Sequence, residues 1–307
     1  MSLPVPPRLL RTVLDPIMRF ACPPGDWATQ RKRTELVALT LRVPRGVRSE
    51  QAELGGRPAL KFVPKDGGSG RVVLYLHGGG YCVGSPTTHR AIPGRLAKAL
   101  DAVVYSLDYR LVPEHPFPAA AEDTISAYRE LLDRTNAADI AVVGDSAGAG
   151  LAVGLTVAAR YAGWPLPGAL GLICPAVDFS DASSAWTTDD AKEAILKRAL
   201  YRSFAGAYAP ENAADPAVSQ LYADFTGLPP IVIDAAEHDI LRGDGLRLRD
   251  KAIAAGVQVV YRERADLFHT FHTLAGTVRQ ADEALDEVAA SLAEAMEVNR
   301  PSTSPDR

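Results

Sequence analysis

Cysteine is scarce in this chain: three residues in 307, at Cys22, Cys82 and Cys174, unevenly spaced and without a C-x-x-C pair. That pattern gives neither a disulfide framework nor a zinc site, and no metal is expected; each thiol should pack as a small buried apolar group. An excess of positive charge is missing too. The net charge is −4 and the pI near 5.9, whereas a nucleic-acid binder normally carries a basic face, so no nucleic-acid partner is expected. Lys and Arg read as scattered over a solvated surface of mixed sign. Long apolar runs are also absent. Leu9 to Phe20 is broken by Arg11, Asp15, Pro16 and Arg19, which argues against a secretion signal. No segment approaches the ~20 uninterrupted apolar residues of a membrane helix. A cytoplasmic location is the expectation.

What is present suits a packed α/β protein. With 47% hydrophobic and 23% charged residues, the chain can bury a sizeable core, and its length allows one large domain or two small ones. Short apolar runs at Val72–Leu76, Ala102–Leu107, Ile140–Gly144, Ala169–Cys174, Pro230–Ala235 and Val257–Arg262 read as strands. Several are apolar throughout, as expected of strands covered on both faces of a parallel sheet. Between them lie segments of helical length and pattern, Arg90–Leu100, Ala119–Leu132, Gly148–Tyr161 and Gly243–Ala255. The alternation predicts a doubly wound sheet flanked by helices, with residues 64–70 as a loop or hairpin. Two stretches fall outside it: residues 1 to about 40, and about 180 to 225, where an amphipathic helix is expected near Asp190 to Tyr208. They are read as helical insertions forming a cap on a single domain spanning residues 1–307. Apolar residues there, among them Leu14, Ile17, Phe20, Leu196 and Tyr208, suggest a hydrophobic substrate pocket.

The chemistry-bearing residues sit where predicted strands end. Gly144-Asp-Ser-Ala-Gly148 lies between a strand and a helix. A sharp turn there exposes the Ser146 hydroxyl, needs small residues at 144 and 148, and aims the helix N-terminus at developing negative charge. His77-Gly-Gly-Gly80 follows an earlier strand. Its glycines suit an oxyanion hole made of Gly78, Gly79 and Gly80 with Ala147, in which the amides of Gly79, Gly80 and Ala147 donate and Gly78 shapes the turn. A phosphate-binding loop is the weaker reading, since no G-K-[ST] follows. His77 is expected to fix the loop. A serine hydroxyl needs a base and the base a carboxylate, in the chain order Ser, acid, His on such a sheet. Asp239 is the preferred acid, with Glu237 and Asp244 as rivals and Asp234 structural. His269 is the preferred base and His272, expected in the first turn of the last helix, comes second.

Together with Asp108-Tyr-Arg-Leu-Val-Pro-Glu-His-Pro-Phe-Pro-Ala-Ala120, these motifs resemble the bacterial hormone-sensitive-lipase family of carboxylesterases over about residues 70–275. The resemblance implies an α/β-hydrolase fold, Ser146 as nucleophile, His269 as base, Asp239 as its carboxylate, and no cofactor. It implies a small-molecule ester substrate, and pairing of two copies into a homodimer through the last strand or helix. Trp27 and Gln30 ahead of a basic helix look like family members that open monoterpene ε-lactones, so a lactone substrate stands as an alternative, as does a non-catalytic ligand-binding relative. Three positions depart from the family pattern: Ala149 and Cys174, where small substitutions should be neutral, and Asp239, where lactonase-like relatives often carry Glu. Glu114 and His115 in the proline-rich segment are read as scaffold with internal hydrogen bonds.

Overall fold

Alternation of side chains along the central strands explains the architecture. In β3 (Val72–Leu76), Leu74 and Leu76 belong to one buried cluster, and Val73 and Tyr75 to another. In β5 (Ile140–Asp145), Ile140 and Val142 divide in the same way from Ala141 and Val143. Since successive residues of a strand point to opposite faces, both faces of the sheet are covered. A computed structural model describes residues 2–22, 26–180, 191–208 and 213–299. It contains eight strands in the order β1-β2-β4-β3-β5-β6-β7-β8, the others being β1 (Val47–Leu54), β2 (Arg57–Pro64), β4 (Val103–Leu107), β6 (Ala169–Ile173), β7 (Ile231–Ala236) and β8 (Val259–Arg264). From β4 to β8 neighbouring strands run parallel, whereas β1 and β2 form an antiparallel hairpin that joins the sheet through β4.

That hairpin was not among the expected strands, for a physical reason. Val47-Arg-Ser-Glu-Gln-Ala-Glu-Leu54 is an edge strand with both faces partly in water, so it has no apolar run, and its charges block edge-to-edge pairing. The turn at Gly55-Gly56, both at positive φ, is the local signal that marks it.

The helices are α1 (Pro7–Ala21), α2 (Trp27–Ala38), α3 (Ala91–Ala99), α4 (Ala119–Leu132), α5 (Ala147–Tyr161), α6 (Arg198–Tyr208), α7 (Arg242–Ala254) and α8 (Arg279–Val298). Helices α4, α5 and α7 share one buried cluster, and α3 and α8 the other. Helix α6 starts later than the expected Asp190, which itself lies outside the described residues. The Glu193 side chain accepts the amides of Ile195 and Leu196. A carboxylate bonded to nearby backbone competes with helical hydrogen bonding, and the helix begins beyond it. His272 is also displaced from its expected place. It lies in a short 3₁₀ turn, Phe271–Leu274, and Gly276 at positive φ intervenes before α8. Among the described residues no helix is long and apolar enough to cross a membrane.

Candidate active site

The turn after β5 is strained by design. Ser146 has φ 52° and ψ −120°, a conformation side-chain-bearing residues rarely adopt, and such strain persists only where the surroundings over-determine it. A Cβ at Gly144 would lie 2.2 Å from the carbonyl oxygen of Gly148, and one at Gly148 would lie 1.9 Å from that of Leu76. Only glycine therefore lets β5 and α5 meet β3 so tightly. The Ser146 amide donates to Ile173 O at 2.9 Å, pinning the turn to β6.

Two further loops at the carboxyl ends of β7 and β8 converge on this turn. His269 Nε2 lies 2.9 Å from Ser146 Oγ, and His269 Nδ1 lies 2.8 Å from Asp239 Oδ2. The other carboxylate oxygen, Asp239 Oδ1, accepts the Leu241 amide at 2.8 Å. An ionised carboxylate can only accept, so Nδ1 carries the proton and Nε2 is left with a lone pair facing the serine. All three side chains are buried. Burial pulls the His269 imidazole toward a lower pKa, but the Asp239 carboxylate, with Glu193 and Asp145 behind it, outweighs that and leaves it above the ordinary 6.5.

The rival residues are occupied elsewhere. Asp234 pairs with Arg264 and with His272 Nε2 at 2.9 Å, which accounts for both groups as structural. Asp244 accepts the amides of Val177 and Asp178 and pairs with Arg247; burial pushes it up to about 6. Glu237 is exposed and accepts the Asp266 amide.

Gly78, grouped with the oxyanion hole as the residue that shapes its turn, offers it no donor. The Gly78 amide donates to Asp145 Oδ1 at 2.9 Å, and Tyr75 Oη donates to the same oxygen at 2.5 Å. Gly78 is thus committed to the scaffold and cannot hold an oxyanion. Among the described residues nothing accepts from the amides of Gly79, Gly80 or Ala147. Gly79 has φ 114°, and a Cβ there would strike Val83 O. His77 stacks on Tyr109 with ring centroids 4.2 Å apart. Burial and the neighbouring His89 push its pKa down to about 3, so it stays neutral and structural.

Cys82 and Cys174 are buried as expected, while Cys22 is only half-buried. Burial pushes the thiols of Cys22 and Cys82 up to about 11 and about 12, and raises Cys174 as well. None is poised as a nucleophile. Glu114 pairs with Arg31 of α2, whose guanidinium also reaches the carbonyls of Cys82 and Val112.

One residue at the site carried no sequence motif. Glu193 is fully enclosed, its Oε2 accepting the His269 amide at 2.9 Å while Oε1 takes the amides of Ile195 and Leu196 at 2.7 and 3.1 Å. Burial and the charge of Asp239 push its pKa up to about 7. In sequence it reads as one more acid at the start of an amphipathic helix.

Above the serine lies a cavity of about 190 Å³ with a predominantly apolar lining. Helix α1 contributes Leu14, Ile17 and Met18; α6 and the turn before it contribute Leu196, Leu200 and Phe204. Phe20 and Tyr208, also expected there, are not in the wall. Phe20 is exposed and Tyr208 stacks on Tyr81 with centroids 3.7 Å apart.

Residues 73–273, which contain the serine turn, the carboxylate and the imidazole, match a family model described as an α/β hydrolase fold. The chain belongs to that family. Within it, this hydrolase is similar to an acetyl-hydrolase of Streptomyces hygroscopicus, 42% identical over 205 residues, 66% of this chain and 69% of the relative. It is 35% identical to the carboxylesterase NlhH of Mycobacterium tuberculosis over 73% of this chain and 74% of that one. A hormone-sensitive lipase from a metagenome library superposes with a TM-score of 0.91 at 31% identity, covering 96% of this hydrolase and all of the other chain. The hydrolase is of the hormone-sensitive-lipase type and acts on carboxylic esters.

Proposed function

We propose that the chain is a serine carboxylesterase for esters of short to medium chain length, working through an acyl-enzyme. The reading rests on one observation above others: a buried imidazole hydrogen-bonded to a serine hydroxyl on one side and to a carboxylate on the other, at 2.9 and 2.8 Å. Ser146 Oγ attacks the ester carbonyl as its proton passes to His269 Nε2. The amides of Gly79, Gly80 and Ala147 hold the oxyanion, and Asp239 stabilises the imidazolium. The imidazolium then protonates the departing alcohol. Water, deprotonated by the same nitrogen, attacks the acyl-serine and releases the acid, restoring Ser146. Helices from residues 1–40 and 180–225 act as a cap whose apolar side chains wall the acyl pocket, within a single domain of residues 1–307. The name of one relative, acetyl-hydrolase, supports a small acyl group, and that of another, carboxylesterase, supports ester hydrolysis.

A p-nitrophenyl ester series from acetate to palmitate tests this reading. The cavity of about 190 Å³ predicts kcat/KM highest among the short and medium esters and falling steeply at palmitate. A maximum at palmitate would contradict it.

Glu193 has a positioning role in this scheme, since it fixes the His269 backbone and adds negative charge behind the imidazole. His269 must be neutral to accept the serine proton, so kcat/KM should fall as pH drops through its raised pKa. Glu193→Gln removes one of the charges that raise it, and the acid limb of the pH profile should move to lower pH. An unmoved limb would leave Glu193 with a packing role only.

A further inference from the structure

The chain-wide charge balance hides a division. Residues 1–45 hold eight Lys and Arg against three Asp and Glu, net +5, whereas residues 46–307 hold twenty-five against thirty-four, net −9. The mixed-sign surface expected from composition does not describe the first segment. Helix α1 in that segment is apolar on two sides. Leu14, Met18 and Ala21 face the cavity. Leu9, Val13, Pro16 and Phe20 recur every three or four residues, which at 3.6 residues per turn makes a second stripe, and all four are exposed. At the end of α2, Leu36 and Leu39 are 61% and 68% exposed. Arg8 and Arg19 stand about a quarter-turn to one side of the α1 stripe, both exposed, Arg19 paired with Asp15 at 2.8 Å, and Lys32, Arg42 and Arg45 are exposed in the same segment.

A helix that shows solvent an apolar stripe with cations along one side has a pattern that lies in the boundary of a bilayer, where apolar side chains enter beneath the headgroups and cations meet lipid phosphates. Charge decides the type of surface. An anionic bilayer attracts the net +5 segment and repels the net −9 remainder, so the field itself orients the molecule with this face down. Ile17 connects the face to the site, since it lines the cavity and is also 36% exposed.

We infer that the α1–α2 face is a docking surface for an anionic lipid bilayer, which brings the helix that walls the ester cavity to the lipid boundary. The test is co-sedimentation of the full-length chain with vesicles of phosphatidylcholine alone or mixed with phosphatidylglycerol. The chain should sediment with the anionic vesicles at low salt, not with the neutral ones, and be released near ~0.5 M salt, where the screening length is only a few ångströms. Leu9→Ser/Val13→Ser should lower the partition coefficient about tenfold or more, with kcat/KM on dissolved p-nitrophenyl butyrate and the thermal melt unchanged. Arg8→Glu/Arg19→Glu should weaken binding as well. Equal binding by the serine variant, or equal binding to neutral vesicles, would overturn the inference. So would the absence of vesicle binding together with a dimer that the serine variant dissociates, which would make the face an interface between two copies.

Discussion

Ser146→Ala is expected to lower kcat/KM on p-nitrophenyl esters by about 10⁵- to 10⁶-fold while leaving the fold intact. The substitution removes the one atom that forms a bond to substrate, and no neighbouring group can replace it. His269 keeps its carboxylate partner, but the thiols of Cys82 and Cys174 are buried and protonated. Alanine takes the same backbone conformation as serine, so the strain at φ 52° is unchanged. Only the Oγ hydrogen bond to His269 is lost, and a single such bond contributes about 1 kcal/mol. The thermal melt should therefore move by a few degrees at most. Residual turnover above the uncatalysed rate is expected from the Gly79, Gly80 and Ala147 amides. A loss of less than about a hundredfold would show that another nucleophile does the work.

The second large effect is expected from Asp239→Asn, about 10⁴-fold in kcat. The geometry predicts which way the new amide turns. The Leu241 amide donates to Oδ1 and needs an oxygen there, so the asparagine NH₂ takes the place of Oδ2 and points a donor at His269 Nδ1. Nδ1 must then accept, the ring proton moves to Nε2, and the nitrogen facing Ser146 can no longer take a proton. Loss of the negative charge also removes the largest influence raising the imidazole, so the residual activity should persist to lower pH than in the parent. A variant with nearly full kcat and an unmoved acid limb would rule out Asp239 as the partner of His269.

Much of this site could be read from the sequence because its chemistry is local. The turn at Gly144–Gly148 requires small residues at fixed offsets, and a strand that is apolar on both faces leads into it. The loops that supply the carboxylate and the imidazole follow from chain order, since each comes after a strand that ends at the site. What could not be read depends on contacts distant in sequence. The Gly78 amide belongs with the oxyanion loop until Asp145, 67 residues later, is seen to accept it. Glu193 is an ordinary surface acid until the fold brings the His269 amide, 76 residues on, to its carboxylate. The same holds for the choice between Asp239, Glu237 and Asp244, which the structure separates by which partners each already has. The β1–β2 hairpin escaped because β1 is mostly exposed and has no apolar run, while the apolar residues of β2 are interrupted by Lys61, so its two-glycine turn was the clearest local signal.

Helix α1 shows the same limit in another form. Its apolar residues could be counted from the sequence, but not sorted into those that wall the cavity and those that face outward. Phe20 falls on the outer side, more than half exposed, and Leu14 on the inner.

The most direct measurement of the central claim is covalent trapping. Stoichiometric p-nitrophenyl phosphonate should release one equivalent of nitrophenol per chain, and peptide mass mapping should place the phosphonyl group on Ser146. The reaction should slow sharply on protonation of His269 or in Asp239→Asn. Labelling at a different residue, or labelling of Ser146 at the same rate in the asparagine variant, would contradict the account.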